Sequence, residues 1–116
     1  MKYMLMYWDS DTTEYSVDEV MQMTALKSWI DEMRRRGIRL HGSSLSPARE
    51  GRLVRARDGE RLVSDGPFAE TKDQIGGYDV IECASLDEAI EVAAAHPLAQ
   101  TATVEVRPFD DFPWPE

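Results

Sequence analysis

Apolar residues near the amino end fall on both parities of a short run: Tyr3, Leu5 and Tyr7 on one, Met4, Met6 and Trp8 on the other. A strand with one wet face alternates, so residues 2–8 predict a strand covered on both sides. Ser16-x-x-Glu19 has the spacing of a capping box, with Tyr15 and Val20 placed as a hydrophobic staple. The helix it opens spans 17–36, with an apolar stripe at Val17, Val20, Met21, Leu26, Trp29, Ile30 and Met33, arginines in its last turn and a stop at Gly37. Ile38–His41 alternates as a second strand, with Arg39 and His41 on its polar parity, and a loop over 42–47 follows. Two strand-like runs, Arg52–Arg57 and Glu60–Ser64, flank Asp58-Gly59, a strong two-residue turn signal. The arginines of this hairpin suit an unpaired edge. Residues 65–78 read as a long polar loop and Tyr78–Cys83 as a strand. Ser85-x-x-Glu88 repeats the capping box. Its helix carries Leu86, Ala89, Ile90, Ala93 and Ala94 inward and ends at His96, because Pro97 disfavours helical geometry in its predecessor. Residues 101–107 form a last strand, with Val104 and Val106 on one parity and Thr103, Glu105 and Arg107 on the other.

Strand, capped helix, strand, hairpin insertion, strand, capped helix, strand is the order of an α+β fold. The expected arrangement is a ferredoxin-like antiparallel sheet with two helices on one face and an inserted β-hairpin. Residues 1–108 make a single domain, and 109–116, with Phe109, Phe112 and Trp114 among prolines, make an aromatic tail. With both helices on one face, the other face is bare and mixed in character. Exposing Met4, Met6 and Trp8 together is hazardous, so a homodimer that shields them around a partly polar cavity is expected.

Composition narrows the partners. A chain of 116 residues is one domain of modest core. The net charge of −9 argues against sequence-independent nucleic-acid binding. Charge is unevenly spread: residues 34–61 hold nine of the thirteen basic residues and three acidic ones. No apolar run approaches a membrane span, and the first residues lack a signal-peptide pattern. Cys83 is the only cysteine, which excludes an intrachain disulfide and fits a reducing cytoplasm. Two widely separated histidines make no zinc motif, and no glycine-rich nucleotide loop is present, so neither metal nor cofactor is expected.

His96 is the candidate for acid–base work, its place at a helix C-terminus favouring the imidazolium; the alternative is that it caps carbonyls there. Asp65 is the candidate carboxylate base, or else a turn residue bonding its own backbone. The polar loop, through Gly66, Pro67, Phe68, Glu70, Lys72 and Tyr78, is the candidate ligand-binding segment, and Arg107 points from the last strand toward a partner or cavity. Gly76 and Gly77 fit a hinge or a bulge. His41 reads as structural or exposed, and Cys83 as a packed thiol.

The run Asp65-Gly66-Pro67-Phe68-Ala69-Glu70-Thr71-Lys72, followed by Gly76-Gly77-Tyr78 and Ile81-Glu82, resembles the signature of the DGPF-domain branch of the YCII-related proteins. The opening Met1–Leu5, His96-Pro97 and the closing Val104–Pro108 resemble the same family. The resemblance implies a dimeric α+β barrel built on a ferredoxin-like fold, and no known reaction. Some family members carry a histidine on the first helix paired with an aspartate as an acid–base dyad; residues 17–36 hold no histidine here. Two functions follow as expectations. One is binding, or acting on, a small polar molecule in a cavity at the dimer interface. The other is a non-enzymatic regulatory module, associated with an extracytoplasmic-function sigma factor through the arginine-rich hairpin or the tail.

Overall fold

The computed structural model describes residues 1–10, 17–66, 73–113 and 115. Among these residues, six strands and two helices run in the order β1 (Lys2–Ser10), α1 (Val17–Arg35), β2 (Arg39–Ser44), β3 (Arg52–Arg57), β4 (Glu60–Asp65), β5 (Asp73–Glu82), α2 (Leu86–Ala94) and β6 (Thr103–Pro108), with single 3-10 turns at Ala48–Glu50 and Pro97–Gln100. Strands β2-β5-β1-β6 form an antiparallel sheet in ferredoxin-like order, and among the described residues β3 and β4 pair with each other alone. The α+β fold expected from the sequence is the fold observed.

Local chemistry explains the boundaries. The first helix closes at Gly37, whose φ of +70° is left-handed; Ile38 N–H reaches back to Met33 C=O and Gly37 N–H to Arg34 C=O, the paired bonds of a Schellman end. At α2, Ser85 Oγ accepts from Glu88 N–H at 3.2 Å, while Glu88 Oε1 accepts from Ala84 N–H. Asp58 (φ +51°) and Gly59 (φ +80°) adopt the doubly left-handed turn that matches hairpin twist. Tyr15 and Ser16, on which the first capping box and its staple depend, lie outside the described residues.

Three expectations are corrected. Strand β5 begins at Asp73, so residues 73–77 of the expected loop are a strand paired with β1. Strand β2 runs on to Ser44, and a register shift between Arg39 and His41 puts these two residues on opposite faces instead of one shared parity. Helix α2 buries Ala89, Val92 and Ala93, leaving Leu86 and Ile90 about half exposed, because the helix leans on the sheet one residue round from the stripe read in the sequence.

The core lies between the helices and one sheet face. Tyr3, Leu5 and Tyr7 of β1 and Ile81 of β5 meet Trp29 and Met33 of α1 and the three buried residues of α2. Trp29 also donates its indole N–H to Val92 C=O at 3.0 Å, tying the helices together without leaving a buried polar group unpaired. On the opposite face, Met4 and Met6 stand level with Val80 and Tyr78 of β5 and with Arg107 and Glu105 of β6.

Candidate functional site

On the helix-covered face, every second position of β1 is aromatic or aliphatic, ending at Tyr7. Opposite Tyr7, the pairing shifts: Tyr7 meets Gly77 while Trp8 meets Ile75, so Gly76 is the extra residue of a bulge. The same face of β5 carries Asp79, 5% exposed, level with Leu5. A buried carboxylate needs partners, and it has two. Arg39 Nε lies 2.6 Å from Oδ1, and the Tyr7 hydroxyl donates to Oδ2 at 2.5 Å. Gly42 makes the arrangement possible: a Cβ there would fall 1.8 Å from Asp79 Oδ1 and 2.6 Å from Arg39 Nη2.

His96 completes the group from the chain segment after α2. Its ring stacks on Tyr7 at 4.4 Å and meets Trp29 edge-on at 4.6 Å. It caps the 3-10 turn rather than α2, Nδ1 accepting the Leu98 N–H at 3.0 Å. Burial lowers its pKa to about 4, against a weaker upward pull from Asp79. The ring is therefore neutral, where the sequence suggested an imidazolium. With Nδ1 engaged, its proton sits on Nε2. Burial, and then the Asp79 carboxylate, hold the Tyr7 phenol protonated.

Tyr7, Arg39 and His96 of this group line a pocket of about 380 Å³ between the sheet and α1, with Leu26, Ile30 and Leu98 as its apolar walls and Ser43, Ser44, Gly76 and Gly77 completing it; Asp79 stands behind Arg39 and Tyr7. The two Asp79 oxygens are already engaged and Nδ1 of His96 is occupied, so the cluster is poorly set to abstract a proton. What it can do is donate: the Arg39 guanidinium and the His96 Nε2–H can bind and polarise an oxygen acceptor on a flat, largely apolar body.

Of the residues singled out in the sequence, His96, Gly76 and Gly77 line this pocket. Asp65 does not; its side chain is 85% exposed and pairs with Arg52 at 3.4 Å. Gly66 packs at the root of the hairpin, where a Cβ would come within 2.6 Å of Ala48 C=O. Tyr78 and Arg107 lie on the other sheet face, Tyr78 bonded to His41 Nδ1 at 2.8 Å and Arg107 to Glu105. Pro67, Phe68, Glu70 and Lys72 lie outside the described residues. Tyr7, Arg39, Gly42 and Asp79 were missed, although one signal was present: Asp79 shares the parity of Ile81 in an apolar strand, so it had to be buried with a partner. Burial, with a smaller push from Glu88, raises the Cys83 thiol to about 11, which marks a packed and unreactive group. Among the described residues no cluster could hold a metal ion, and no helix is long and apolar enough to cross a membrane.

Comparison with known proteins agrees with this architecture. The family model of the YCII-related domain matches residues 1–113. An uncharacterized protein, R00369 of Rhizobium meliloti (strain 1021), is 47% identical over 68 residues, 55% of this chain and 53% of that protein, so the chain spans about half the length of this relative. Among solved structures, a similar fold occurs in 5-chloro-2-hydroxyhydroquinone dehydrochlorinase (TftG) from Burkholderia phenoliruptrix AC1100, in complex with 2,5-dihydroxybenzoquinone. It matches with a TM-score of 0.57 at 15% identity, covering 95% of this chain and 94% of that one.

Proposed function

The chain belongs to the YCII-related domain family, and from that premise we propose that it binds a small, flat, acceptor-bearing molecule in the pocket between its sheet and α1. The observation that carries this is the buried Arg39–Asp79–Tyr7 chain beside a neutral His96: three polar side chains, Tyr7, Arg39 and His96, stand at the wall of a largely apolar hollow, with the Asp79 carboxylate fixing two of them from behind. Such a mixture of apolar walls and few oriented donors is the usual make-up of a ligand site. The fold relative bound to a dihydroxybenzoquinone, a planar ring bearing oxygens, supports the choice of ligand shape.

Two copies join through the uncovered sheet face, where the polar groups are already paired within one chain: the Trp8 indole and Arg107 on Glu105, and Tyr78 on His41. A face so satisfied can be covered without orphaning a charge. The expected cavity at that interface then becomes a second, shallower place for a polar guest. A cytoplasmic setting suits the lone buried thiol. The regulatory alternative, contact with a sigma factor, draws its support from the projecting hairpin.

The pocket is tested by calorimetry and thermal-shift titration with hydroxybenzoquinones and hydroxybenzoates. Wild type is expected to bind at least one, and Gly42→Ala, whose methyl displaces the Asp79 carboxylate from Arg39, to bind it roughly tenfold or more weakly. Tyr78→Phe, on the other sheet face, should bind as wild type does. Equal affinity in Gly42→Ala, or no binding by wild type, defeats the reading.

A further inference from the structure

The β3–β4 hairpin stands out from the body. Every residue of β4 is exposed, and in β3 only Leu53 is partly covered. Its strands bond to each other, and its root is held by Gly66 N–H on Gly51 C=O at 3.0 Å. The radius of gyration is 16.4 Å, where a compact chain of this length gives about 13 Å. A two-stranded hairpin alone in water is marginal, so this one needs something to lie on.

One of its faces carries the directly opposed pair Val54 and Val63, 65% and 55% exposed, with Arg52 and Arg61 at the neighbouring pairs. A complementary surface exists on the same molecule, by the opposite edge of the sheet. The outer face of α2 exposes Leu86 and Ile90 one turn apart, at 48% and 49%, beside the exposed acids Asp87 and Glu91. The hairpin leaves the sheet next to β2, one edge strand, where Leu45 N–H bonds Gly76 C=O; α2 packs by β6, the other edge strand. With the arm by one edge of the sheet and α2 by the other, the arm is placed to meet the α2 of a neighbour.

We propose that the hairpin is a clasp that lies on the outer face of α2 of a second copy of this chain. Val54 and Val63 cover Leu86 and Ile90, and Arg52 and Arg61 face Asp87 and Glu91. The exposed Arg52–Asp65 pair within the hairpin contributes little that such a contact must replace. The charge balance fits this occupant: the basic residues concentrate in 34–61, and the rest of the chain is strongly acidic. The contact is independent of the pocket and additional to the sheet-face pairing.

The test mixes two single variants of the full chain, Val54→Cys and Ile90→Cys, carrying different tags, under mild oxidation. Both positions are exposed and Cys83 is buried, so folding and background are controlled by circular dichroism and by a wild-type lane. A covalent species joining the two tags is expected. Adding Arg52→Glu and Arg61→Glu to the first variant should cut its yield roughly tenfold, and adding Asp87→Arg and Glu91→Arg to the second should restore it. Links only between identical variants, no link between copies because another protein takes the arm, or a yield indifferent to charge reversal would each overturn the proposal. A pocket that binds nothing leaves this result untouched.

Discussion

His96 shows how one side chain ties stability to pH. Its ring is 2% exposed, wedged between Tyr7 and Trp29, and its pKa falls from 6.5 to about 4. Between those values the unfolded chain binds a proton that the folded chain refuses, so stability rises with pH across the window and is lost as pH falls through it. From about pH 7.5 to about pH 5 this one group should cost about 2 kcal/mol. Urea denaturation of wild type and His96→Gln at both pH values checks it: the wild-type loss should exceed that of the variant by about that amount, and equal losses would contradict the assignment. The sequence showed the histidine and its proline but not its surroundings. Nothing in a linear reading of Tyr7, 89 residues away, says that the two rings stack, because the contact exists only once β1 and the segment after α2 share one layer.

The elements follow their local codes where those codes are short-ranged. Ser85 caps α2 as its spacing predicts, and the hairpin turns at Asp58-Gly59. Ser85→Ala should lower the unfolding free energy by about 1 kcal/mol, and Ser85→Asp, which keeps an acceptor, should recover most of it; thermal and chemical denaturation give the measurement, and an unchanged Ser85→Ala would show that the cap contributes nothing. Helix facing and strand register were less legible. The apolar residues Leu86 and Ile90 look inward by periodicity, yet Val92 takes the buried place, since a nine-residue helix is oriented by what the sheet and α1 leave open. Two register shifts, opposite Gly76 and beside Leu40, likewise reverse which side chains face the helices. The second of them is what sends Arg39 to Asp79 and His41 to Tyr78.

At the scale of the molecule, the proposed assembly rests on the sheet face that the helices leave uncovered. Met4 and Val80, each half-buried, form its apolar centre beside Met6, which one chain already buries to 8% exposure, flanked by polar groups that already bond one another. Wild type should sediment as a dimer at micromolar concentration, and Met4→Glu, which sets a carboxylate at that centre, should sediment as a monomer with unchanged circular dichroism. A monomeric wild type would remove the dimer from this account and leave the pocket, which lies within one chain, standing.

What the amino-acid order determined by itself was whatever depends on near neighbours. Caps, turns and alternation named the elements, their order implied the ferredoxin-like sheet, and the glycine-bounded run near Asp65 resembled the right family. What the tertiary structure alone decided was the pocket. Arg39, Gly42, Asp79, Tyr7 and His96 come from four separate segments, and their partnership depends on register shifts of a single residue and on the absence of one side chain at position 42. A carboxylate buried on an apolar parity announces that it needs a partner; only packing in three dimensions says which guanidinium and which phenol supply it.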